Sequence, residues 1–363
     1  MRATLAAGAA AFLSTAAFSS AFADIQRQSF TALSEPGIEI GIREVVDAAV
    51  ANGTAERRGD PVILLHGARV PGVPSFDLPL PGGSLAADLA AEGLAVYIVD
   101  LRGYGASTRP AAMNQPRAVT EPLVRSGEAV RDLAAAVDAV RTRSGAEQVA
   151  ILGWATGGHW AGHYASLHPQ RVSKLVFYNT LYGYTPEHPR IGKGSRLADP
   201  ENPDRFNLAR FQNYRLNTAD SLLPGWDRSI PLEDKTAWRD PAVAEAYVAA
   251  ALASDPTAAE RDPPSFRAPS GAMADSFLLA TGATLWDARL IAADALILRS
   301  EGDFWSRPED LALLQAHLES RQSGRVSVVQ IPQATHFVHL DRAAWGRATF
   351  LRAVVSFLAG PQG

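Results

Sequence analysis

Short apolar runs alternate with helix-like stretches along much of this 363-residue chain, and that alternation restricts the fold more than any other feature. Strand-like runs at Pro61–Leu65, Ala95–Val99, Val149–Leu152 and Lys174–Tyr178 are separated by helix-like segments at Ser84–Glu92, around Val130–Val140 and at Gly158–Leu167. In the second of these helices Val130, Leu133, Ala134, Val137 and Val140 share one face, and Gly145 supplies a stop. Parallel strands need a crossover, usually a helix, so the pattern predicts an α/β, doubly wound, mostly parallel sheet. Two further strand-like stretches, Arg27–Leu33 and Ile38–Val45, precede it around a turn at Glu35-Pro36-Gly37.

The alternation breaks between about Thr185 and Ala283, where Pro, Trp, Arg and Asp are dense. A helix at Pro241–Ala253, with Asp240 as N-cap, is expected there, without strands. The pattern resumes with strand Ala295–Arg299, helix Pro308–Leu318, strand Val326–Ile331 and helix Arg342–Leu358. Residues 185–285 are therefore expected to form a mostly helical cap, inserted between a first core part (24–184) and a second (286–363). Trp226, Trp238, Tyr247, Phe266 and Phe277 argue against a disordered linker, because disordered segments are poor in aromatics.

Composition narrows the function classes. A net charge of −4 argues against nucleic acid as the main partner, since phosphate binding needs a basic face. No Lys/Arg block suggests anionic lipid. Met1-Arg2, the small apolar run Ala3–Phe22 and the A-x-A pattern Ala21-Phe22-Ala23 look like a secretory signal peptide (1–23) cleaved before Asp24. The run is only weakly hydrophobic, so stable membrane insertion is not expected, and the protein is expected to be secreted or periplasmic. With no cysteine, disulfides, thiolate catalysis and Cys-bound zinc are excluded.

The stretch "ILGWATGGHWAG" (151–162) carries the chemistry. Gly153-Trp-Ala-Thr-Gly157 has the spacing of a nucleophile elbow, G-x-S-x-G, with Ala155 in the serine's place. Together with "VILLHGA" (62–68), "DLRGYGAS" (100–107), "LILRSEGD" (296–303) and "IPQATHFVHLD" (331–341), it resembles the α/β-hydrolase fold superfamily, in its capped esterase, lipase and epoxide-hydrolase-like branch. The five motifs fall in family order. The resemblance implies His336 as general base and Asp303 as the acid that orients it, with Glu301 and Asp310 as competitors for the acid. Some relatives place the acid one strand earlier; the equivalent position here lies near Asn179, which cannot carry the charge. The oxyanion hole maps to the backbone amides of Ala68 and Thr156.

Several other constellations are weaker. Gly103 and Gly105 begin a dinucleotide fingerprint whose third glycine would fall on Thr108, so no nucleotide cofactor is expected. Asp100 and Arg102 read as residues that tie down their turn. His159 and His163 have a zinc-capable spacing, but Trp160 replaces the glutamate of H-E-x-x-H, so helix packing is expected and no metal. His339 reads as a packing or solvent-facing neighbour of His336.

An alanine at the elbow either stands in for a substituted serine or belongs to the chain as it evolved. Thr156 is the nearest hydroxyl, but it lies one place past the apex. With no carboxylate in the elbow, an aspartate-nucleophile dehalogenase or epoxide hydrolase is disfavoured. The first expectation is a secreted, capped hydrolase of a carboxylic ester or lactone, with Ala155 lowering or rerouting its chemistry. The second is a non-catalytic small-molecule binding protein on the same fold. Nothing in the sequence sets an oligomeric state.

Overall fold

The computed structural model describes residues 24–360; the segment read as a signal peptide lies outside them. Ten strands are present among these residues: β1 (Ile25–Glu35), β2 (Ile38–Asp47), β3 (Val62–Leu65), β4 (Val96–Val99), β5 (Val149–Trp154), β6 (Val172–Tyr178), β7 (Tyr214–Thr218), β8 (Ser265–Pro269), β9 (Asp294–Gly302) and β10 (Val326–Thr335). Eight of them form one sheet in the order β1-β2-β4-β3-β5-β6-β9-β10. The β1–β2 and β2–β4 pairs are antiparallel, and every other pair in the sheet is parallel. Strands β3, β4 and β5 are buried along their whole length, which is why they read as unbroken apolar runs.

The helices that cover the sheet follow from local signals. Helix α1 (Leu85–Ala91) starts at Ser84, whose Oγ accepts from Ala87 N–H at 2.9 Å. Helix α2 (Ser126–Ser144) buries Val130, Leu133, Val137 and Val140, the stripe seen in the sequence, and ends at Gly145 with φ 68°. Helix α3 (Thr156–Leu167) follows β5 with no intervening loop.

Between β6 and β9 the chain leaves the sheet. This segment holds helix α4 (Pro241–Ala253), capped by Asp240, and helix α5 (Gly271–Ala280). It also contains strands, contrary to expectation: β7 and β8 pair antiparallel, Tyr214 opposite Pro269 through Thr218 opposite Ser265. The pair is five residues long, and Arg215 and Arg267 interrupt its apolar pattern. Back in the core, helix α6 (Pro308–Glu319) precedes β10. The expected helix Arg342–Leu358 is broken: Gly346 adopts φ 93°, and regular helix α7 runs only over Ala348–Ala359. No helix among the described residues is long and apolar enough to cross a membrane.

Candidate active site

Strand β5 delivers the elbow. Ala155 turns the chain from β5 into α3 with φ 53° and ψ −116°. A residue with a Cβ enters that region at a cost of roughly 1–3 kcal/mol, so the surroundings must hold it there. Ala155 N–H donates to Tyr178 O at 2.8 Å, and Ala155 O accepts from Gly158 N–H at 3.1 Å. The flanking glycines are steric requirements. A Cβ on Gly153 would lie 2.4 Å from Gly158 N, and one on Gly157 would lie 2.2 Å from Leu65 O.

Asp303 follows β9 directly, and His336 follows β10. The two meet: His336 Nδ1 lies 2.6 Å from Asp303 Oδ1. Asp303 Oδ1 also accepts from Trp305 N–H at 3.0 Å, and Oδ2 accepts from Ser306 N–H at 2.8 Å and from Ser306 Oγ. Burial alone would raise the Asp303 carboxyl; the adjacent imidazole and the Ser306 and Trp305 donors outweigh it and hold the group below the ordinary carboxylate range. An ionised carboxylate can only accept, so the bond assigns the proton to His336 Nδ1 and leaves Nε2 as an acceptor.

Three donors fix the His336 backbone. Its carbonyl accepts from Trp154 Nε1–H (3.1 Å), Tyr178 Oη–H (3.0 Å) and Asn179 Nδ2–H (3.3 Å). Phe304 packs at a tilt against the imidazole with ring centres 4.6 Å apart. Asn179 thus acts as a positioning residue for the His336 loop, its Oδ1 also accepting from Ser300 N–H at 2.8 Å.

His336, Ala155, Thr156, Gly67 and Ala68 line one cleft of about 870 Å³ between the sheet and the inserted segment. Neither Ala68 N–H nor Thr156 N–H donates to any partner among the described residues, so both are free for a ligand. Ala68 is pinned from its carbonyl side, which accepts from Tyr104 Oη–H (2.9 Å) and Arg215 Nη2 (2.6 Å). Thr156 Oγ1 is buried without a hydrogen-bond partner and makes no bond to His336.

The remaining candidates separate cleanly. Glu301 accepts from Gln333 N–H, and Asp310 caps α6 while accepting from Tyr182 N–H; neither bonds to His336. His339 is fully buried between Tyr178 Oη (3.0 Å) and Ser75 O (3.1 Å), a packing role with no solvent contact. Asp100 accepts from Gly72 N–H and Ala106 N–H, and Arg102 pairs with Asp132 and Glu35, so both tie down their turn. His159 and His163 share Ser126 Oγ, and His159 Nδ1 accepts from Trp286 Nε1–H at 2.8 Å. No three His, Asp or Glu side chains converge on a metal-sized space among the described residues. Sequence reasoning missed Trp305, Ser306, Tyr104 and Arg215; no motif marks them, because each acts through a contact made only in the folded chain.

The chain matches the model of the alpha/beta hydrolase fold family over residues 60–343. No curated protein sequence matches it. Among solved structures, E-2-(acetamidomethylene)succinate hydrolase aligns with a TM-score of 0.58 at 17% identity, over 92% of this chain and 99% of that one. An enol-lactonase from Burkholderia xenovorans LB400 aligns at 0.55 and 15% identity, over 90% and 99%. A thermophilic esterase from Thermogutta terrifontis, malate bound, aligns at 0.53 and 20% identity, over 92% and 98%.

Proposed function

Because the chain belongs to the alpha/beta hydrolase fold family, we propose that it hydrolyses a carboxylic ester or lactone, with His336 and Asp303 acting on water at the place where Ala155 leaves no nucleophile. One observation carries this reading: the Asp303-oriented imidazole shares a cleft with two unpartnered amides, Ala68 and Thr156. His336 Nε2 takes a proton from water, and the hydroxide adds to the substrate's carbonyl carbon. The carbonyl oxygen takes up the negative charge facing the two amides, each such donor being worth roughly 10²–10³ in rate. Collapse breaks the carbon–oxygen bond, and the leaving alkoxide receives the proton from Nε2. Ester plus water gives acid plus alcohol; a lactone gives a hydroxy acid.

A frame of this kind without its nucleophile keeps roughly 10³–10⁴ over water, so slow turnover is expected. The choice of ester or lactone is supported by two fold neighbours, an esterase and an enol-lactonase. The Ala155 methyl favours a second reading, a binding protein without turnover. The two separate in one assay, a panel of activated esters and lactones given to the chain and to its His336→Ala variant. Turnover that disappears in the variant supports the hydrolase; saturable binding with no turnover in either supports the binder.

A further inference from the structure

Among the described residues, seven arginines and no Asp or Glu line the cleft, on a chain whose net charge is −4. None of the seven belongs to an ion pair within the described residues. Arg190, Arg196, Arg210 and Arg228 make no side-chain hydrogen bond to protein there. Arg190 lies over the Phe304 ring at 4.2 Å, and Phe304 packs at a tilt against His336, so an unpaired guanidinium lies one ring away from the imidazole. Deeper in the cleft, Arg69 donates to Asn217 Oδ1 and Ser221 Oγ, and Arg215 donates to Ala68 O and Pro269 O. The Arg215 Nε is buried with no partner among the described residues.

These cations face one another. Burial, with Arg228 and Arg196 adding to it, lowers the Arg190 guanidinium from its ordinary value. At the exposed Arg196, partial desolvation at the cleft rim, then Arg210 and Arg228, act in the same direction. The Asp303 carboxylate, already bonded to His336, offsets this only in part at Arg190. Clustered positive charge without paired counter-charges is unfavourable unless a ligand supplies the anions.

We infer that the cleft takes a substrate bearing two or more carboxylates besides the carbonyl that reacts. The identity of the reacting group rests on the hydrolase reading; the recognition of anions rests on the arginines alone. Planar guanidinium forks match carboxylates in a bidentate way, and all seven cleft cations are Arg. They also run from the half-buried Arg69, Arg190 and Arg215 to the exposed Arg196, Arg210 and Arg228. That spread suits charges distributed along a molecule better than one compact phosphate. The inner group supplies affinity, and the outer group draws anions in at low ionic strength.

Calorimetric titration of the full chain with propane-1,2,3-tricarboxylate, its neutral triamide and inorganic phosphate tests this without turnover. The tricarboxylate should bind with a Kd below roughly 1 mM, and the triamide at least ~30-fold more weakly, about what one or two charge-assisted hydrogen bonds supply. Arg190→Gln should weaken tricarboxylate binding roughly tenfold. Arg228→Gln, at an exposed position, should flatten the salt dependence. Arg352→Gln, on the exposed face of α7, should change neither. Equal binding of triamide and tricarboxylate, tighter binding of phosphate, or no tricarboxylate binding would overturn the inference. A failed hydrolase reading leaves this titration intact. Conversely, His336-dependent hydrolysis of neutral esters by a chain that binds no tricarboxylate keeps that reading and removes this one.

Discussion

Replacing Ala155 with serine asks whether the elbow still presents its apex residue for attack. Alanine already occupies φ 53° and ψ −116°, so the exchange adds no backbone strain. Gly67 leaves room beside it: even a Cβ built there would be 3.6 Å from the Ala155 Cβ. The added hydroxyl would cost roughly 1–3 kcal/mol if buried without a partner and would regain about 0.5–1.5 kcal/mol by bonding to His336 Nε2. Stability by urea unfolding should therefore fall by no more than about 2.5 kcal/mol. On the kinetic side, dismantling a working triad costs ~10⁶ in kcat, whereas this site has His336, Asp303 and both amides in place. The serine form should gain roughly 10²–10⁴ in hydrolysis of p-nitrophenyl acetate, less than the full ~10⁶, because the surroundings hold an alanine. It should also label with a fluorophosphonate probe, while the alanine form does not. A folded Ala155→Ser protein that neither labels nor gains hydrolysis on any ester would show that the elbow does not present its apex to His336.

Gly157→Ala puts a Cβ 2.2 Å from Leu65 O and 2.6 Å from His66 O, both backbone, so it should cost ~3 kcal/mol or more; a variant as stable as the parent in urea would contradict the steric account. Burial, then neighbouring His163, pushes the His159 imidazole down to about 3. The folded chain thus keeps His159 neutral where the unfolded chain takes up a proton near pH 6.5, and its contribution is present above that pH and shrinks as pH falls. The stability gap between the parent and His159→Gln should narrow by about 1.4 kcal/mol per unit below pH ~6; a gap that stays constant would count against it. We further propose export with a mature start at Asp24, which intact-mass measurement of the secreted chain checks; an uncleaved Met1 would contradict it.

What could be read from the sequence was what the backbone dictates locally. Central strands came through to within a residue or two, because a strand buried on both faces must be apolar throughout, as β3 is at Val62–Leu65. The elbow was legible because Gly153 and Gly157 have no room for a side chain. Asp303 and His336 were legible because each directly follows a recognisable strand. The β7–β8 pair was not, since its partners lie about fifty residues apart and carry arginines in a short pattern. The break at Gly346 was visible as a residue, but the apolar spacing on both sides suggested one continuous helix. The arginine cluster was least accessible, its members scattered from Arg69 to Arg228 and gathered only when the inserted segment folds over the sheet.

The central claim is that the Ala68 and Thr156 amides and His336 Nε2 converge on one reacting carbonyl. A crystal structure of the chain with a phosphonate monoester, which mimics the tetrahedral intermediate, tests it most directly. One phosphonate oxygen should lie about 2.7–3.1 Å from both amide nitrogens, with a second oxygen within hydrogen-bond reach of His336 Nε2. A phosphonate bound elsewhere, or held in the cleft with either amide turned away from it, would contradict the claim.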